Sequence, residues 1–115
     1  MSGAPSCPPD SPPPHPGTLL RDHVLPVLGM PVSQAARELG VSRQTLHRIF
    51  SGEAAVTPAM ALRFARFCGA DAGTWLRLQQ EHDLWWAERQ LGAAVTRIPA
   101  HDLPAPLPRH LRSLP

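Results

Sequence analysis

Between Ser42 and Ser51, in the run SRQTLHRIFS, hydrogen-bond donors suited to reading nucleic-acid bases lie along one side of an amphipathic segment. Leu46, Ile49 and Phe50 have the spacing of a buried stripe. At about 100° per residue, Gln44, Arg48 and Ser51 then face away from it, with Thr45 and His47 on the flanks. An arginine fork can grip guanine and a glutamine amide can grip adenine, each through two hydrogen bonds in the major groove. Gln44 and Arg48 are therefore the expected base readers, with Arg43 and Thr45 next and His47 beside them. Ser42 is placed to cap the segment through its hydroxyl and to offer its backbone amide to a phosphate.

Those side chains need a rigid platform, and the preceding residues predict one. In VSQAARELG, Val32, Ala35, Ala36 and Leu39 recur at i, i+3, i+4 and i+7, which gives a helix one buried stripe. Gly40 then ends it, because glycine tolerates the left-handed backbone of a tight exit. Val41 and Leu46 fall at the position before the Ser42 cap and the fourth after it. That is the spacing of a hydrophobic staple, which fixes the angle at which the second helix leaves. Small alanines at the crossing, a glycine turn, a staple and an Arg/Gln outer face together predict a helix-turn-helix, whose second helix enters the major groove. An ordinary amphipathic pair with a solvated outer face would explain the stripes but not the combination.

The chain has 115 residues, so a single domain is expected; all eleven basic residues are arginines and the formal net charge is +2. The layout of charge says more than its total. From Pro31 to Gly52, Arg37, Glu38, Arg43 and Arg48 leave +2, whereas Asp71, Arg77, Glu81, Asp83, Glu88 and Arg89 leave −2 between Asp71 and Leu91. The first stretch favours phosphate and the second does not. Residues 1–14 and 99–115 are proline-rich and lack an apolar run, so both are expected as disordered tails around a domain spanning residues 15–98.

A domain of that size is too small for an enclosed substrate cleft or a separate catalytic domain. No Ser/His/Asp set, paired carboxylates or phosphate-cradling glycine loop is visible, so no catalytic residue and no small-molecule substrate are expected. Cys7 and Cys68 form no CxxC pair and are expected as reduced thiols. His15, His23, His47, His82, His101 and His110 show no HxxxH or HExxH grouping, so neither a metal nor a cofactor is expected. The N-terminus lacks a charged stretch followed by an apolar core, and no apolar run is long enough for a membrane span. A cytoplasmic protein is expected.

Three more helices complete the pattern. Leu20, His23, Val24, Val27 and Leu28 have helical spacing after Pro16 and Gly17, with Pro26 expected to kink or end the helix. Thr57 and Pro58 read as a cap and first-turn proline, with Ala61, Phe64, Ala65 and Cys68 buried, Arg63 and Arg66 outward, and Gly69 as the stop. Asp71 is expected to cap a last helix reaching about Leu91. Its apolar residues fall on two faces, Trp75, Leu78, His82, Trp85 and Trp86 on one and Leu76, Leu84, Ala87 and Leu91 on the other. A small core can cover only one of them, so the second predicts a partner surface, for another copy of the chain or for a different protein, unless a tail folds over it.

The runs HPGTLLRDHVLPVLGM, AARELGVSRQTLHRIFSG and VTPAMALRFARFCGADAGTWLRLQQEHDLWWAE, roughly His15 to Glu88, resemble the HigA-type antitoxins of the XRE repressor-like class. The middle run is shared by many repressors; HPG with LR, TPAMALRFAR, TWLRLQ and DLW are more particular. The resemblance implies an all-α, five-helix fold of the lambda repressor/Cro type and a homodimer that binds double-stranded operator DNA and represses its own operon. It also implies direct neutralisation of a HigB-type toxin, a small RelE-like ribonuclease that cuts messenger RNA. A free-standing XRE-family repressor would share every DNA-facing residue and lack only the toxin. One departure stands out: where many members cap the first helix of the motif with Ser or Thr followed by a phosphate-touching Gln, this chain has Pro31 and Val32. Ser33, Gln34 or Arg37 is left to supply that contact.

Overall fold

Prolines, glycines and short polar caps divide the chain where its periodicity changes. The computed structural model describes residues 11–111, and among these every regular element is helical. We label residues 16–28 α1, Val32–Leu39 α2, Arg43–Phe50 α3, Pro58–Cys68 α4 and Ala72–Val95 α5; a 3-10 turn follows at Arg109–Leu111. The repressor-like five-helix architecture expected from the sequence is the one observed.

α1 departs from a regular helix, because α-helical Pro16–Leu19 and Leu25–Leu28 flank a π-turn at Leu20–Val24. There the Leu25 amide bonds back to Leu20 O, five residues away. Pro26 gives the physical reason: it donates no hydrogen bond, and its ring clashes with the carbonyl four residues back unless the turn widens. The extra residue slips the register and corrects the expected stripe. Leu20 and Leu25 are buried, whereas His23 is exposed and Val27 and Leu28 stand 84% and 51% exposed.

α2 and α3 follow their sequence signals. Gly40 ends α2 with φ of 76°, and Ala35, Ala36 and Leu39 are buried beneath it. In α4 the Thr57 hydroxyl accepts from the Met60 amide at 3.2 Å, and Met60 joins Ala61 and Phe64 in the core while Ala65 and Cys68 are half-buried. The core centres on Leu20, Leu46, Ile49 and Phe64, with the Phe64 ring meeting Trp75 edge-on at 5.1 Å. Cys68 is a free thiol that donates to Phe64 O; the expectation for Cys7 lies outside the described residues.

α5 is longer than expected, 24 residues or about 36 Å. Asp71 occupies its N-cap position, but the carboxylate accepts no capping hydrogen bond. Only Trp75 and Gln79 are buried. Leu76 is half-buried against the core, which removes it from the free stripe to which its projection assigned it; Leu84 and Leu91 are 58% and 53% exposed. Pro13, counted in the tail by its composition, is packed: His82 Nδ1–H donates to its carbonyl at 2.8 Å. Residues 99–111 are exposed throughout. Among the described residues, no helix is long and apolar enough to cross a membrane.

Candidate nucleic-acid interface

The helix carrying the donors is fixed before any of them can act. Leu46, Ile49 and Phe50 bury its inner face, and Val41 packs against the same core from the turn. At its start Ser42 Oγ accepts from the Thr45 amide at 3.0 Å and donates to Thr45 Oγ1 at 2.8 Å, so the two hydroxyls close the first turn together. On the far side α1 approaches so closely that a Cβ at Gly17 would collide with the Ile49 carbonyl. Only glycine permits that contact.

With the inner face committed, Arg43, Gln44 and Arg48 project from the exposed side, and among the described residues their side chains hold no partner within the chain. Gln44 and Arg48 stand four residues apart and are therefore neighbours on one face. His47 is exposed and its ring meets Phe50 edge-on at 6.4 Å, which holds it at the flank. Ser51 Oγ turns back to Arg48 O at 3.1 Å and reaches Glu53 at 3.0 Å, closing the helix. The face thus offers guanidinium and amide donors in a row, with a capped N-terminus at one end.

The α2 side narrows one alternative. Gln34 Nε2 donates to Glu38 at 2.8 Å, so its amide is engaged, while Ser33 and Arg37 are exposed. Pro31 is the N-cap of α2 and provides no side-chain cap, as the departure from the resemblance implies.

Several supporting residues escaped the sequence reading. Arg21 of α1 and Arg63 of α4 each donate to a backbone carbonyl of the motif, Phe50 O at 3.1 Å and Leu39 O at 2.7 Å. Gln79, buried on α5, accepts the Val56 amide at 2.7 Å and donates to Asp83 at 2.9 Å, tying down the loop that follows α3. Buried His15 caps α1 through Nδ1, which accepts from the Gly17 amide at 3.0 Å. Each is a polar side chain meeting a backbone group, a pairing that periodicity does not signal. For Gln79 the only available hint is its place four residues after Trp75 and four before Asp83.

Known proteins share the fold that carries this face. A helix-turn-helix domain family matches residues 18–78. Virulence-associated protein I of Dichelobacter nodosus is 34% identical over 85 residues, 74% of this chain and 79% of the relative. Among solved structures, antitoxin GraA in complex with its operator superimposes with a TM-score of 0.72 at 31% identity, over 81% of this chain and 94% of that one. The Pseudomonas aeruginosa antitoxin HigA with the higBA promoter gives 0.71 at 32% identity, over 76% and 96%. The chain belongs to the XRE-type helix-turn-helix family and, within it, to the group of HigA-type antitoxins.

Proposed function

We propose that this chain binds a palindromic operator to repress its own operon and neutralises a small HigB/RelE-like, mRNA-cleaving toxin by direct contact. The observation that carries the DNA half is the unengaged row of Arg43, Gln44 and Arg48 on a helix whose opposite face is buried. A dimer would lay two copies of α3 in successive major grooves, with half-sites about one helical turn apart. Gln44 and Arg48 read base edges, with Arg43, Thr45 and His47 beside them. The Ser42 amide, Ser33 and Arg37 meet phosphate, which positions the helix without specifying sequence. Replacing Arg48 by Ala is expected to lower the preference for operator over random DNA by about 1–3 kcal/mol, as a lost guanine contact should. An equal loss on both duplexes would make Arg48 a phosphate contact.

The toxin half rests on the distal part of α5, where Leu84 and Leu91 are exposed with Ala87 between them. Its acidic residues suit a basic ribonuclease. The test is growth of a bacterial host expressing the small open reading frame beside this gene, alone and with this chain. Arrest relieved by the chain, and equally by its Arg48→Ala version, is the expected result. Arrest that the chain cannot relieve would leave a free-standing repressor with α5 as a dimer seam.

A further inference from the structure

Every α-helix leaves its last four carbonyls without intrahelical partners. In α3 the Ser51 amide bonds His47 O at 2.9 Å, the Ala54 amide bonds Arg48 O at 3.0 Å and the Gly52 amide bonds Ile49 O at 3.1 Å. The fourth carbonyl, Phe50 O, is completed from another helix by Arg21 Nη1. Asp22 holds that guanidinium by accepting from Nε at 2.8 Å and from Nη2 at 3.0 Å, which leaves Nη1 for Phe50. The last carbonyl of α2, Leu39 O, is completed in the same way by Arg63 of α4. Gly40 leaves room for it, since a Cβ there would lie 2.8 Å from Arg63 Nη1.

We propose that Arg21 and Arg63 are positioning residues of the DNA interface, two arginine clamps that set the tilt of α3 so that Gln44 and Arg48 meet base edges. The inference rests on the DNA-binding reading above. α3 has eight residues, a length of about 12 Å, and its apolar anchors resist lifting more than rotation because hydrophobic contact is non-directional. Hydrogen bonds to carbonyls at the ends of α2 and α3 are directional, and each places a positive charge at the negative end of a helix dipole. Base reading depends on angle and distance, whereas attraction to phosphate tolerates small rotations. Loosening a clamp therefore removes sequence preference and leaves general DNA affinity.

The probes are duplexes that the wild-type chain enriches from a randomised pool, and shuffled duplexes of equal length. Arg21→Ala and Arg63→Ala are each expected to lower the preference for the enriched duplex by about tenfold, with shuffled-DNA binding and its salt dependence unchanged. Arg21→Lys should recover part of the preference, because an ammonium can still donate to Phe50 O but cannot also hold Asp22 with a fork. If melting curves show that Arg21→Ala does not fold, Asp22→Ala, which frees the guanidinium without removing it, must show the same loss in weaker form. Unchanged preference overturns the clamp. So does equal weakening on both duplexes, or a shallower salt dependence, which would make the arginines phosphate contacts. If the wild-type chain enriches no sequence, the base-reading interpretation fails first and the clamp falls with it.

Discussion

α3 and the distal half of α5 are both exposed helices, and they are built in opposite ways. α3 is short, capped at Ser42, buried along Leu46, Ile49 and Phe50, and seated against Gly17 of α1. α5 runs past its last buried residue, Gln79, and carries Leu84, Leu91 and Val95 more than half exposed. Directional hydrogen bonds to bases need a helix held at a fixed angle. Apolar burial needs only area, so a surface without a second layer behind it can serve a protein partner. On the proposed reading, the helix that would read bases is the one that the core, the Ser42 cap and the Gly17 seat hold in place.

That contrast breaks most directly at Gly17. A methyl group there meets the backbone carbonyl of Ile49, and two helix backbones cannot shift as a side chain can. Gly17→Ala is expected to cost about 3 kcal/mol in urea unfolding and to abolish DNA binding with it. Wild-type stability in that variant would mean that α3 does not depend on its seat against α1.

On the other helix the expected effect falls on assembly and spares the fold. Leu84→Glu with Leu91→Glu places charges on side chains that already face solvent, so the melting temperature should stay near wild type. Size-exclusion behaviour and toxin binding should change, with at least one of the two assemblies lost. If both persist, the distal stripe is not an interface, and the difference between the helices is only one of exposure.

The legible parts of the molecule are those whose causes lie close together in the chain. The α2–turn–α3 motif could be read because the periodicity, Gly40, the Ser42 cap and the Val41/Leu46 pair all act within a few residues of one another. A uniform helical projection puts His23, Val27 and Leu28 in the buried stripe and passes over Leu25, because it cannot anticipate the residue that the π-turn before Pro26 adds. Periodicity alone puts Leu76 on the free stripe, because a two-faced pattern does not say how far the core wraps around a helix. The bonds of Arg21 to Phe50, Arg63 to Leu39 and Val56 to Gln79 bridge 29, 24 and 23 residues, and they form only after the helices have packed. The support of the candidate site was therefore less visible than its reading face.

The smallest expected effect comes from protons, and it too should separate the two helices. His15 Nδ1 accepts the Gly17 amide, so the cap requires a neutral ring with its hydrogen on Nε2. Nε2 is buried with no hydrogen-bond partner, and the ring meets His82 edge-on at 5.1 Å. Burial, and then His82, lower the His15 pKa below its ordinary 6.5, while Asp83 and the Ala54 backbone oppose the shift without reversing it. The unfolded chain therefore takes up this proton more readily than the folded one. The stabilisation is complete above 6.5 and declines as the pH falls from there toward the lowered value. Because His15 caps the helix that seats α3, urea midpoints should drop as the pH falls below about 6.5 and DNA binding should weaken with them, while assembly through distal α5 holds. His15→Gln, which keeps an acceptor but cannot titrate, should flatten the decline. A decline just as steep in that variant would assign it to the other histidines and release α1 from any role in the pH response.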